Sequence, residues 1–98
     1  MNIVKPAIAG TLESSDLQVK VSPNPDGGLE VALQSEVIKQ FGRQIRQVVD
    51  ETLARLGVES GLIVIEDKGA LDCAIRARLQ AAVLRGAGCE RLDWEKLS

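Results

Sequence analysis

The chain has 98 residues, enough for one hydrophobic core and too few for a cleft between two lobes. Its 45% hydrophobic and 27% charged residues are those of an ordinary globular protein, which excludes wholesale disorder. A net charge of −2 argues against a binder of phosphate backbones, and with Phe41 and Trp94 as the aromatics and no Tyr there is no stacking platform for single-stranded nucleic acid.

The N-terminal arm, residues 1–6 (Met1-Asn2-Ile3-Val4-Lys5-Pro6), lacks the charged-then-apolar order of a signal peptide. No window reaches the roughly 20 apolar residues of a membrane span, so a cytoplasmic protein without membrane contact is expected. Ile8, Gly10 and Leu12 alternate with Ala9, Thr11 and Glu13, and Leu17, Val19 and Val21 alternate with Gln18, Lys20 and Ser22. Period two on both sides of a polar break predicts a hairpin. Its tip is Thr11-Leu12-Glu13-Ser14-Ser15-Asp16, where the Ser14 hydroxyl would stand exposed. Serines in turns mostly do no more than bond locally, so the placement permits a covalent attachment without requiring one.

Pro23-Asn24-Pro25-Asp26-Gly27-Gly28 is the strongest turn signal, since proline fixes φ and glycine permits its positive values. A third strand follows, with Leu29, Val31 and Leu33 on one face. Ser35 is the expected cap of a helix whose stripe is Val37, Ile38, Phe41, Ile45, Val48, Val49, Leu53 and Leu56, and Gly57 provides a left-handed exit. Leu62-Ile63-Val64-Ile65, short and β-branched, predicts a strand buried on both faces or in the middle of the sheet. After a turn at Asp67-Lys68-Gly69, a second helix carries Leu71, Ile75, Leu79, Ala82 and Val83 inward, pairs Asp72 with Arg76 outside, and ends near Gly86 and Gly88. The tail, residues 90–98, has no helical stripe, and its Trp94 is expected to fold back on the body or meet a partner.

The order β-β-β-α-β-α predicts an α+β two-layer sandwich, a mainly antiparallel four-stranded sheet with two helices on one face, in a single domain spanning residues 1–98. Chemistry is conspicuous by what is missing. With no histidine, neither a Ser-His-Asp triad nor a His-based metal site can form, and no catalytic or metal-ligating residue is assigned. Glu66 with Asp67, and Glu13 with Asp16, read as solvated turn carboxylates. Cys73 and Cys89 are too far apart for a CxxC motif and are expected as reduced thiols. Gly86-Ala87-Gly88 lacks the Lys-Ser/Thr of a phosphate loop and reads as a helix end. Arg76, Arg78, Arg85 and Arg91 concentrate positive charge on and after the second helix, where a solvated face is the simpler reading and a grip on phosphate or acidic partners the other. Three classes stay open: a carrier of a covalent group, a non-catalytic subunit of a larger enzyme, and a small-ligand regulatory module.

Pro6-Ala7-Ile8-Ala9-Gly10-Thr11-Leu12-Glu13-Ser14, with Asp16 two residues on, closely resembles the start of the acyl carrier (gamma) subunits of citrate lyase. Glu66-Asp67-Lys68-Gly69-Ala70-Leu71-Asp72-Cys73, followed by Arg76-Ala77-Arg78-Leu79, resembles that family's other hallmark stretch, and Lys39-Gln40-Phe41-Gly42 before Ile45-Arg46 also fits. The resemblance implies a non-catalytic carrier whose serine corresponding to Ser14 is linked by a phosphodiester to a phosphoribosyl dephospho-coenzyme A, derived from 2'-(5''-triphosphoribosyl)-3'-dephospho-coenzyme A. The arm's thiol holds acetyl, which an alpha subunit (acyl transferase) exchanges for citryl and a beta subunit (citryl lyase) cleaves to oxaloacetate, regenerating the acetyl form. A prosthetic-group transferase is the implied third partner. The cofactor supplies the reactive thiol while the protein tethers and docks it.

The family often has glycine after the modified serine, where this chain has Ser15, which loses glycine's easy positive φ and adds a second hydroxyl. Ser14 keeps the family's register between Glu13 and Asp16 and is the preferred attachment point. Ser14-Ser15-Asp16-Leu17 also resembles the Ser-Gly-Asp-Leu of the malonate decarboxylase carrier subunit, the alternative function. The remaining alternative is an unmodified small-ligand regulatory domain.

Overall fold

The computed structural model describes residues 2–35 and 38–88. Four strands and two helices follow in the order β1 (Ala7–Gly10), β2 (Leu17–Ser22), β3 (Leu29–Ser35), α1 (Ile38–Leu56), β4 (Gly61–Asp67) and α2 (Asp72–Gly86). The strands form one mixed sheet in the order β1-β2-β4-β3. β2 pairs antiparallel with both β1 and β4, whereas β3 runs parallel to β4. Parallel neighbours need a crossover, and α1 supplies it, which is why β3 follows β2 in sequence without pairing to it.

The α+β architecture is as expected. β4 does lie in the middle of the sheet, but only one of its faces is buried: Ile63 and Ile65 point into the core while Val64 is 37% exposed on the other side. Both helices cover the same face, and among the described residues no layer covers the opposite one. Core residues come from β2 (Leu17, Val19, Val21), β4, α1 (Ile45, Val48, Val49, Leu53, Leu56) and α2 (Ile75, Leu79, Ala82, Val83). The α1 exit is as read from Gly57, which adopts φ 70°. Its N–H donates to Ala54 and that of Val58 to Leu53, the paired bonds that close a helix on a left-handed residue.

On β1, where the alternation assigned no inward face, the buried side is that of Ala7 and Ala9, and Ile8 and Leu12 are about half exposed. Pairing decides this, because Ala9 lies opposite Val19 and Ala7 opposite Val21, whose side chains face α2. Ser35 ends β3, and its hydroxyl donates to Asp67 Oδ2 at 2.8 Å; residues 36 and 37, which lead into α1, lie outside the described residues. Leu71 does not pack inward, being 73% exposed at the N-cap of α2, one residue before the helical stripe. No ion pair joins Asp72 to Arg76 among the described residues; the Asp72 carboxylate accepts from Gln44 Nε2 at 3.3 Å. Residues 2–5 are pinned to the body: Ile3 is 4% exposed, its N–H donates to Ser60, and those of Val4 and Lys5 donate to the Gly86 carbonyl. Val37, Cys89, Arg91, Trp94 and the tail lie outside the described residues, as do the side chains of Ile38 and Phe41. Among the described residues no helix is long and apolar enough to cross a membrane.

Candidate functional site: the serine turn

Strand directions gather one set of loops at one end of the sheet. β1, β3 and β4 finish there, β2 begins there, and both helices start there. The β1–β2 connection carries Ser14 at this end.

Gly10, the last residue of β1, has φ 87°, and a β-carbon on it would overlap the Leu17 carbonyl oxygen. Glycine is what allows the two strands to close so tightly ahead of the turn. Thr11 N–H donates to that same Leu17 carbonyl at 3.1 Å. The turn proper is Glu13–Asp16, closed by Asp16 N–H to the Glu13 carbonyl at 3.1 Å. Ser14 and Ser15 are its central residues, and positive φ at the third position, Ser15 at 65°, marks a type II turn.

The turn is braced from two sides. Ser15 N–H donates to the Lys68 carbonyl at 2.8 Å, and Lys68 N–H donates to the Asp16 carbonyl at 2.8 Å, extending the β2–β4 ladder beyond the Leu17–Asp67 pair. The Asp16 carboxylate ties the turn to itself and to α2. It accepts from the Thr11 hydroxyl at 2.7 Å, from Leu17 N–H at 2.8 Å, and from Arg78 Nη2 at 3.2 Å and Nε at 3.4 Å. The Thr11 hydroxyl first, then Leu17 N–H and more weakly Arg78, hold this carboxyl below its ordinary pKa of 3.8. Ser14 takes part in none of this. Its side chain is exposed and its hydroxyl has no hydrogen-bond partner among the described residues.

The backbone next to Lys68 is fixed by Asp67, which is 2% exposed. Its Oδ1 accepts from Ala70 N–H at 2.9 Å, and its Oδ2 from Gly69 N–H at 3.2 Å as well as from Ser35. Asp67 thus shapes the loop that holds the serine turn.

The residues singled out in the sequence separate cleanly. Ser14, Ser15, Asp16 and Arg78 come together at the turn. Glu66 and Asp67 point to opposite faces of β4, and the carboxylates of Glu13 and Asp16 make no joint site. Arg85 donates to the Ile8 carbonyl at 2.8 Å and so clamps α2 to β1. Arg76 is exposed with no ion pair or hydrogen bond among the described residues, and Cys73 is an exposed free thiol. Thr11, Lys68 and Asp67 were not assigned to the site by sequence. The second hallmark stretch contained two of them, and its contact with the first is the signal that pointed there.

The family model described as "ACP: Malonate decarboxylase delta subunit" matches residues 4–86. The chain is 65% identical to the citrate lyase acyl carrier protein of Enterobacter sp. (strain 638), with 100% of each covered. It is 62% identical to that of Pectobacterium atrosepticum over 99% of this chain and 100% of the relative, and 58% identical to that of Vibrio cholerae serotype O1 (strain M66-2) over the whole of both. A chain of the Pseudomonas malonate decarboxylase hetero-tetramer, crystallised in complex with malonate, has the same fold, with a TM-score of 0.70 and 23% identity over 83% of this chain and 82% of its own. Full-length identity at this level, with the sequence blocks meeting at one turn, places the chain in the family of citrate lyase acyl carrier proteins.

Proposed function

We propose that the protein serves a citrate lyase as its acyl carrier subunit and that Ser14 bears the covalent arm, a phosphoribosyl dephospho-coenzyme A. Both the Ser14 and Ser15 hydroxyls are exposed and unengaged among the described residues, on a turn whose backbone is fixed on both sides, and the choice of Ser14 is carried by its register between Glu13 and Asp16. Ser15, the neighbour, has its N–H committed to Lys68 and sits one residue closer to β4. Attachment forms a bond from Ser14 Oγ to the phosphorus nearest the ribose and breaks that phosphorus's bond to diphosphate, with the hydroxyl proton lost to the transferase that catalyses it. When bound, the arm supplies a terminal thiol that carries acyl groups as thioesters. The chain itself holds the attachment point still: Asp16, Arg78 and Lys68 fix the turn, so the arm swings from a rigid base. A tethered thiol reaches successive active sites, on an acyl transferase and a citryl lyase subunit, at an effective concentration well above that of free coenzyme. These partners and the prosthetic-group transferase would be met in the cytoplasm.

The test is co-expression with the prosthetic-group biosynthetic and transfer enzymes, followed by intact and peptide mass. Ser14→Ala is expected to abolish the cofactor-sized increment and Ser15→Ala to leave it. Mapping of the group to Ser15 would reverse the residue choice, and release of carbon dioxide from malonate, in place of oxaloacetate from citrate, would reverse the complex.

A further inference from the structure

A groove of about 680 Å³ opens between α1 and the start of α2, at the same end of the molecule as Ser14. We infer that this groove is the resting site of the arm, with the apolar pantetheine segment along Ile45, Ala70 and Leu71 and a phosphate of the arm on Arg76. The inference rests on the arm being attached at Ser14.

Three observations converge on it. First, one wall of the groove is Gly69–Leu71, which follows directly from Lys68, the residue whose backbone holds Ser15 and Asp16. Serine turn and groove therefore share one loop. Second, Leu71 is 73% exposed, and it occupies the N-cap of α2 without a side-chain cap bond, where Ser or Asp would satisfy the helix. A leucine there serves neither the core nor the cap, but it gives the groove an apolar lip. Third, the arginines of α2 divide by role: Arg78 pairs with Asp16 and Arg85 with the Ile8 carbonyl, whereas Arg76 has no partner among the described residues. Arg76 and Cys73 lie three residues apart on the groove side. The Asp72 carboxylate also lines the groove and accepts from Gln44 Nε2, but it makes no ion pair with Arg76 among the described residues, so the Arg76 guanidinium is open to an anion. A volume of this size suits a small ligand, and an apolar wall beside the Arg76 guanidinium matches an arm that is apolar at its thiol end and anionic along its length. Tethering lowers the affinity required, because a flexible link gives an effective concentration on the order of millimolar, so millimolar binding fills the groove about half the time.

Cys73 is the reporter. With Cys89→Ser removing the second thiol and the arm acetylated, apo and loaded chains, the load verified by mass at Ser14, are alkylated in parallel and the Cys73 peptide is quantified. Loading is expected to slow Cys73 alkylation, from about twofold at half occupancy to about tenfold at nine-tenths. The amide signals of 69–76 and 44–45 should shift in the loaded chain. Leu71→Asp, which also supplies a helix cap, and Arg76→Glu should each bring the apo-to-loaded ratio back toward one. Equal alkylation rates with the load confirmed, or shifts confined to 11–17, overturn the groove and leave the attachment standing. A chain that never gains the arm at Ser14 under conditions that load a relative sinks both.

Discussion

At φ 65°, Ser15 holds a backbone conformation that costs an L-residue about 1–2 kcal/mol, and glycine adopts it freely. Glycine also loses more chain entropy on folding, about 0.5–1 kcal/mol, which offsets part of the gain. Ser15→Gly is therefore expected to raise stability by roughly 0.5–1 kcal/mol, read as a higher urea midpoint at unchanged slope. A lower midpoint would show that the Ser15 side chain contributes something the turn needs. The consequence for Ser14 is positional, since the strained neighbour sets the direction in which the exposed hydroxyl leaves the turn. This much was legible in the sequence, where Ser15 stood out against the family's glycine. The bracing by Lys68 was not. It is made by backbone groups that every residue carries, so no side-chain pattern announces it.

Among the elements, the periodic ones were legible and the junctions were not. Leu17, Val19 and Val21 on β2, and Ile75, Leu79, Ala82 and Val83 on α2, point where their spacing says they should. For β1 the spacing named no inward face, and in Ala7-Ile8-Ala9-Gly10 the smaller residues are the ones turned inward. Alternation alone gives two faces but does not say which is buried; pairing with β2 decides it. Ser35 shows the same limit. A serine ahead of a helical stripe signals a cap, but nothing in the sequence announces that its hydroxyl also donates to Asp67, at the far end of β4. Asp67 is where the junctions of β3, β4 and α2 meet, so its removal strands two loop N–H groups and one hydroxyl. Asp67→Ala is expected to cost about 2–4 kcal/mol by urea unfolding, with Asp67→Asn losing less because one oxygen still accepts. A loss below about 1 kcal/mol would indicate that water satisfies the loop once the carboxylate is gone.

Across the whole molecule, the residues before β1 matter more than their position suggests. Ile3 packs against the start of β4, where a β-carbon on Gly61 would press on its side chain, and close to Gly86 at the end of α2. It closes the core at the end opposite the serine turn. Ile3→Ala is expected to destabilise by about 2–4 kcal/mol, the range for truncating a buried aliphatic side chain, as measured by thermal or urea unfolding. A change within about 0.5 kcal/mol would return this segment to the status of a loose arm. Because the Asn2–Ser60 bridge and the Val4–Gly86 bond both lie at that far end, the molecule has two poles. A bead, fluorophore or surface coupled through the N-terminus would hold the protein by its back, leaving the serine pole facing solution for binding and single-molecule measurements.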